Sequence, residues 1–188
     1  MTDYWFVGID GALTKSGVVA LGVGKVPYDE TVITTKSDPL LEPRLHHIRV
    51  HYNEFVAGLL KYKRMPIVVA IETKFVGANA KQYGVLSKVD GIFSLASYDY
   101  SAEGIFHVAP AKLKKFVCGT SYLIKKVDVK EAVYKLWDYE RTSTDLVDAY
   151  ALAHYARCVM LGTNGGYRGW QVDVVAAHAQ SQVSALLG

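Results

Sequence analysis

Cysteine is close to absent from this sequence. Its 188 residues contain two, Cys118 and Cys158, far apart and outside any metal-ligand spacing. That excludes a disulfide framework and a zinc-ribbon site, and reads as two reduced structural thiols. The six histidines (His46, His47, His51, His107, His154 and His178) form no HExxH or similar pair. Each therefore reads as a solvated or packed side chain rather than a ligand. No stretch approaches the roughly 20 apolar residues that a membrane-spanning helix needs. The opening residues, MTDYWF, lack the charged-then-apolar pattern of a secretory signal, so a cytoplasmic protein with no membrane partner is expected. Charge of one sign is not in excess either. Against 21 Lys and Arg stand 18 Asp and Glu, a net charge of +3, and so mild a bias barely favours a nucleic-acid partner. Internal repeats and a second domain are both missing.

What is present is ample material for a core: 51% of the residues are hydrophobic, which suits one globular domain at this length. Three strand-like runs come first, Tyr4–Asp10, Ser16–Gly22 and Thr31–Thr35, separated by Gly- and Pro-containing turns. Two prolines between Asp38 and Pro43 break the chain. Leu45, Ile48, Tyr52, Phe55, Val56 and Leu59 then recur at helical spacing, up to Pro66. "IVVAIE" (Ile67–Glu72) is a β-branched run between helices, as expected of a central strand covered on both faces. A second helix is predicted from Asn79 to about Tyr98, and "GIFHVAP" as a short strand ending at Pro110. Further helices are predicted over Val127–Trp137 and from Thr144 to Leu161, followed by "GTNGG" and a weakly amphipathic tail. The order βββ-α-β-α-β-α-α implies an α/β fold with a mixed sheet and helices on its faces.

Four carboxylates occupy unusual places in this pattern. Asp10 ends the first apolar run and Glu72 ends "IVVAIE". In a mixed α/β sheet, chemistry gathers outside the carboxyl ends of the strands, and neighbouring strands are roughly 5 Å apart. Asp145 and Asp148 lie three residues apart in "STDLVDAYALAHYA", on one face of a helix near its start. Each has a structural alternative. Ser143 and Thr144 offer capping chemistry beside the two aspartates, and Glu72 would serve as a solvated strand end. Together the four point to a hard-cation site, because clustered carboxylates repel one another unless a divalent ion neutralises them. Between Ala109 and Val127 there are five lysines and no acid. An acidic cluster beside a lysine-rich segment fits metal-assisted cleavage of a polyanion.

At these residues the chain resembles the RuvC-type Holliday junction resolvases of the ribonuclease H-like superfamily, from Phe6 to about Ala156. "VGIDGALTKSGVVAL" resembles the family's first block, and "RLHHIRVHYNEFV" its first long helix. "VVAIETKFVGANAKQYGVLSKVDGI" is similar to the glutamate block, with an aromatic three residues after the glutamate. "VAPAKLKKFVCG" resembles the A-P-x-x-[VL]-K-x-x-V-x-G segment, and "STDLVDAYALAHYA" the closing D-x-x-D-A block. The resemblance implies a five-stranded sheet with three antiparallel strands first and two parallel ones after, in a nuclease domain over residues 1–165. Residues 166–188 would extend that same domain.

The resemblance also implies a homodimer that binds branched DNA, chiefly four-way junctions, and cuts two strands of like polarity symmetrically, leaving 5′ phosphates. Each active site would use two Mg²⁺ or Mn²⁺ ions held by Asp10, Glu72, Asp145 and Asp148. Phe75 falls at the family's aromatic position, where a ring stacks on an unpaired base; its alternative is a core residue. Lys114 matches the family lysine of the A-P block. The next family lysine falls on Lys125 or Lys126, with the K-x-x-V pattern favouring Lys126. Lys74, Lys112 and Lys115 read as general phosphate contacts or solvated charges. Gly11 and Ala12 replace the family's usual proline and glycine, and the tail beyond Gly165 has no family counterpart. This divergence suggests a phage- or virus-type member acting in host cytoplasm. Two alternatives use the same residues: a ribonuclease H-like nuclease with broader branched-DNA or RNA–DNA specificity, and a non-catalytic junction-binding protein.

Overall fold

The computed structural model describes residues 3–22, 27–73 and 80–187. The chain opens with strands β1 (Trp5–Asp10), β2 (Lys15–Leu21) and β3 (Pro27–Thr34). Helix α1 (Leu41–Tyr62), strand β4 (Ile67–Glu72), helix α2 (Ala80–Asp99) and strand β5 (Gly104–Val108) follow. Four helices complete it: α3 (Pro110–Cys118), α4 (Lys126–Trp137), α5 (Thr144–Leu161) and, after a 3-10 turn at Gly162–Gly165, α6 (Gly169–Leu187). The sheet runs β3-β2-β1-β4-β5. β1, β2 and β3 pair antiparallel, whereas β4 and β5 run parallel to β1. The expected mixed five-stranded sheet is therefore present, with helices on both faces.

Every residue of β1 is buried, which explains why "WFVGID" is apolar almost throughout: a central strand has no solvent face. Strand alternation divides its side chains between two cores. Trp5, Val7 and Ile9 join Ile67, Val69 and Ile71 under α1 and α2, where Ile48, Tyr52, Phe55, Val56 and Leu59 form the buried stripe that the spacing predicts. Phe6 joins Val68 and Ala70 in the second core, beneath α5 and among α3, α4 and α6. α5 is buried from Leu146 to Cys158 at every residue but Asp148, as suits a helix rich in Ala, Leu and Val on all sides.

Two glycines let α5 lie directly on the sheet. A Cβ on Gly8 would fall 1.9 Å from the Ala149 carbonyl oxygen, and one on Gly17 would fall 2.2 Å from that of Asp145. The first half of α5 is thus seated over β1 and β2 by backbone-to-backbone contact.

The structure departs from the sequence expectations in three places. β3 begins at Pro27 rather than Thr31, because its polar residues Asp29 and Glu30 sit on an edge strand where only one side is paired. Pro110 does not merely end a strand. It is the first residue of α3, where its missing N–H costs nothing, and Leu113, Phe116 and Val117 give that helix a buried face. The tail forms α6, which docks on α3 and α5: the Trp170 indole N–H donates to the Phe116 carbonyl, and Tyr155 shares a 2.7 Å hydrogen bond with His178.

Both cysteines are free, and burial pushes the Cys158 thiol up to about 12, so it is an inert packing group. His154 stacks on Trp137 and shares a hydrogen bond with the Tyr167 hydroxyl, the packed role read from the sequence. Among the described residues no helix is long and apolar enough to cross a membrane.

Candidate active site

β1 and β4 are adjacent and parallel, with Ile9 opposite Ile71. The next residue on each is an acid, so Asp10 and Glu72 stand side by side at the carboxyl ends of the two strands. Alternation places Asp10 on the face that carries Phe6 and Gly8, and Glu72 on the face that carries Val68 and Ala70. Both faces are the one covered by α5. Across the antiparallel pair, Asp10 stands opposite Gly17, and Gly17 is the residue pressed against the Asp145 backbone. The sheet edge and the start of α5 therefore meet at Asp10, with Asp148 almost one turn further along the helix. Asp10 is only 5% exposed, whereas Glu72, Asp145 and Asp148 are half-buried.

Lys15 adds a cation to this corner. Its Nζ lies 3.0 Å from Asp145 Oδ2 and donates a 3.1 Å hydrogen bond to Ser143 Oγ. Ser143 in turn donates to Asp145 Oδ2 at 3.4 Å. Ser143 occupies the N-cap position of α5, yet its hydroxyl makes no cap; it is turned toward Lys15 and Asp145. The capping role offered by the sequence is therefore not the one Ser143 takes. Nothing in the sequence marked Lys15. Its place becomes visible only when the β1–β2 register is known.

In donor chemistry the four carboxylates suit a hard divalent ion, since all are oxygen ligands, and their backbones stand at the carboxyl ends of β1 and β4 and at the start of α5. As the side chains stand, no three His, Cys, Asp or Glu residues among the described residues are gathered closely enough to hold one.

A family model for the crossover junction endodeoxyribonuclease RuvC matches residues 6–155. The chain belongs to the RuvC family. The matched span runs from β1 to α5 and takes in all four carboxylates, while α6 lies beyond it. No curated protein sequence matches the chain. Among solved structures it is similar to Thermus thermophilus RuvC in complex with a Holliday junction substrate, with TM-score 0.67 and 18% identity, over 86% of this chain and 97% of that one. A second Thermus thermophilus RuvC structure matches at TM-score 0.67 and 19% identity, again over 86% and 97% of the two chains. The fold is that of a RuvC protein, ribonuclease H-like.

The basic residues expected to serve this RuvC-family site are spread over α3 and the start of α4. Lys114 is half-buried, and its ammonium donates a 2.8 Å hydrogen bond to the Ile124 carbonyl, which ties α3 to the loop before α4. Lys112 and Lys115 line a groove between α3 and α6 together with Trp170 and Asp173, and burial lowers the Lys112 pKa. Lys125 holds the N-cap position of α4, its backbone N–H bonded to Asp128 Oδ2, and Lys126 opens the helix; both side chains are exposed. Lys74 and Phe75 lie outside the described residues.

Proposed function

We propose that this protein is a structure-selective DNA endonuclease that resolves four-way junctions by paired symmetric nicks. The supporting observation is that the chain is a RuvC-family fold in which the ends of β1 and β4, which carry Asp10 and Glu72, lie beneath the start of α5, which carries Asp145 and Asp148. These carboxylates hold two Mg²⁺ or Mn²⁺ ions in this reading. When bound, such ions lower the pKa of a water for in-line attack on a phosphodiester and neutralise charge on the leaving 3′ oxygen. The chain's own contribution is placement. The core behind Asp10 excludes bulk water from one side, the α5 backbone sets Asp145 and Asp148 against the sheet edge, and the lysines of α3 and α4 hold DNA phosphates. Phe75 stacks on an unpaired base at the crossover. A homodimer supplies two such sites, so that both strands are cut and 5′-phosphate ends result. The tail beyond Gly165 and the general divergence from the family fit a phage- or virus-type member acting in host cytoplasm.

The deciding experiment is cleavage of a panel of branched DNAs with Mg²⁺ and Mn²⁺, with cut sites mapped on each strand. Symmetric nicks on four-way junctions are expected. Equal cleavage of three-way, flap or RNA–DNA substrates would replace strict junction resolution with a broader nuclease. Persistent junction binding without any nicking would make this a binding protein.

Two further outcomes are expected. Phe75→Ala slows cleavage of intact junctions more than of nicked, flexible ones, in line with the roughly 1–3 kcal/mol that base stacking on an aromatic contributes. Equal slowing of both substrates assigns Phe75 to packing. Lys114→Met weakens junction binding and reduces the slope of log affinity against log salt by about one. An unchanged slope leaves Lys114 as a tie to the Ile124 loop only.

A further inference from the structure

We infer that Lys15 is the resident counter-ion of the candidate metal site, holding the Asp145 carboxylate until a divalent ion displaces it. This rests on the reading of Asp145 as a metal ligand. Lys15 and Gly17 share one face of β2, and Gly17 is pressed against the Asp145 backbone. The Lys15 side chain therefore rises directly over the start of α5, where its ammonium meets Asp145 Oδ2 and Ser143 Oγ. Ser143 donates to the same carboxylate oxygen, so three groups form one closed contact.

An ammonium held on a carboxylate oxygen competes with any other cation that the same oxygen would bind. An ammonium on Oδ2 also stands within a few ångströms of any ion bound to Asp145, and two cations that close repel in turn. Metal entry must therefore break the Lys15 pair. With Lys15 at 46% exposure and Asp145 at 20%, the pair lies at the mouth of the corner, where solvent screens it. It is weak enough for a divalent ion to displace and strong enough to lower the apparent metal affinity a few-fold. Lys15 is thus a positioning residue that sets the ion concentration at which the site fills.

The test is calorimetric titration of Mn²⁺ into the DNA-free protein, comparing wild type with Lys15→Met, Lys15→Arg and Lys36→Met. Lys36 follows Thr35, whose amide bonds the Thr14 carbonyl, so it reports on charge near the same turn without touching Asp145. Lys15→Met is expected to bind Mn²⁺ about two- to fivefold more tightly. Lys15→Arg restores the wild-type affinity, and Lys36→Met leaves it unchanged. Unchanged affinity in Lys15→Met, or an equal gain in Lys36→Met, overturns the inference while leaving the metal site standing. Failure of every form, wild type included, to bind Mn²⁺ overturns the metal site itself and the inference with it.

Discussion

Asp10→Asn abolishes cleavage of branched DNA while leaving junction affinity intact. The substitution keeps the shape of a side chain that is only 5% exposed at the end of β1, so the surrounding core need not move. It removes the negative charge that the proposed ions require, and an amide oxygen is a poor substitute for a carboxylate in that role. The lysines proposed to hold DNA phosphates lie on other elements and are untouched. Single-turnover cleavage should fall by ~10³-fold or more, as when one member of a cooperating catalytic set is lost. Junction binding measured without cleavage should stay within about twofold. Cleavage at the wild-type rate would remove Asp10 from the site.

Gly8→Ala is expected to have the largest effect on stability. The new Cβ would lie 1.9 Å from the Ala149 carbonyl oxygen, 2.3 Å from the Ala153 nitrogen and 2.9 Å from the Leu152 carbonyl carbon. All three are backbone atoms of one helix, so no side chain can rotate to make room. α5 must lift from the sheet, which costs about 3 kcal/mol or more. For a chain of this length that corresponds to a melting temperature lower by about 6–12 °C. Gly58→Ala in α1 is the contrasting control. Nothing lies within 4 Å of the added methyl there, and alanine is the better helix former, so a gain of about 0.5–1 kcal/mol is expected. A scanning-calorimetry midpoint for Gly8→Ala equal to wild type would mean that α5 is not seated as described. Lifting α5 also carries Asp145 and Asp148 away from Asp10, so cleavage should decline along with stability.

The strands around the site were legible because burial on both faces leaves so plain a mark. "WFVGID" and "IVVAIE" are apolar up to a final acid, and an acid at that point stands out. The stripe on α1 and the uniformly apolar α5 were equally clear from spacing and composition. α3 was not, since nine residues make too short a period to see and Pro110 signals both the end of a strand and the start of a helix. The beginning of β3 was hidden by the polar residues that an exposed edge permits. Ser143 looked like a cap from its position alone, but its hydroxyl faces Lys15, which lies 128 positions earlier in the chain.

The sequence by itself determined the five strands and four of the six helices in their order, the family, and which four acids stand at the ends of apolar elements. Those properties depend on local periodicity and on residue types that a buried strand or helix must have. Only the tertiary structure decided that the ends of β1 and β4 lie side by side beneath the start of α5, and that Lys15 pairs there with Asp145. Pairing register and the close approach allowed by Gly8 and Gly17 set those neighbours, and a one-residue slip in β2 would turn Lys15 to the opposite face.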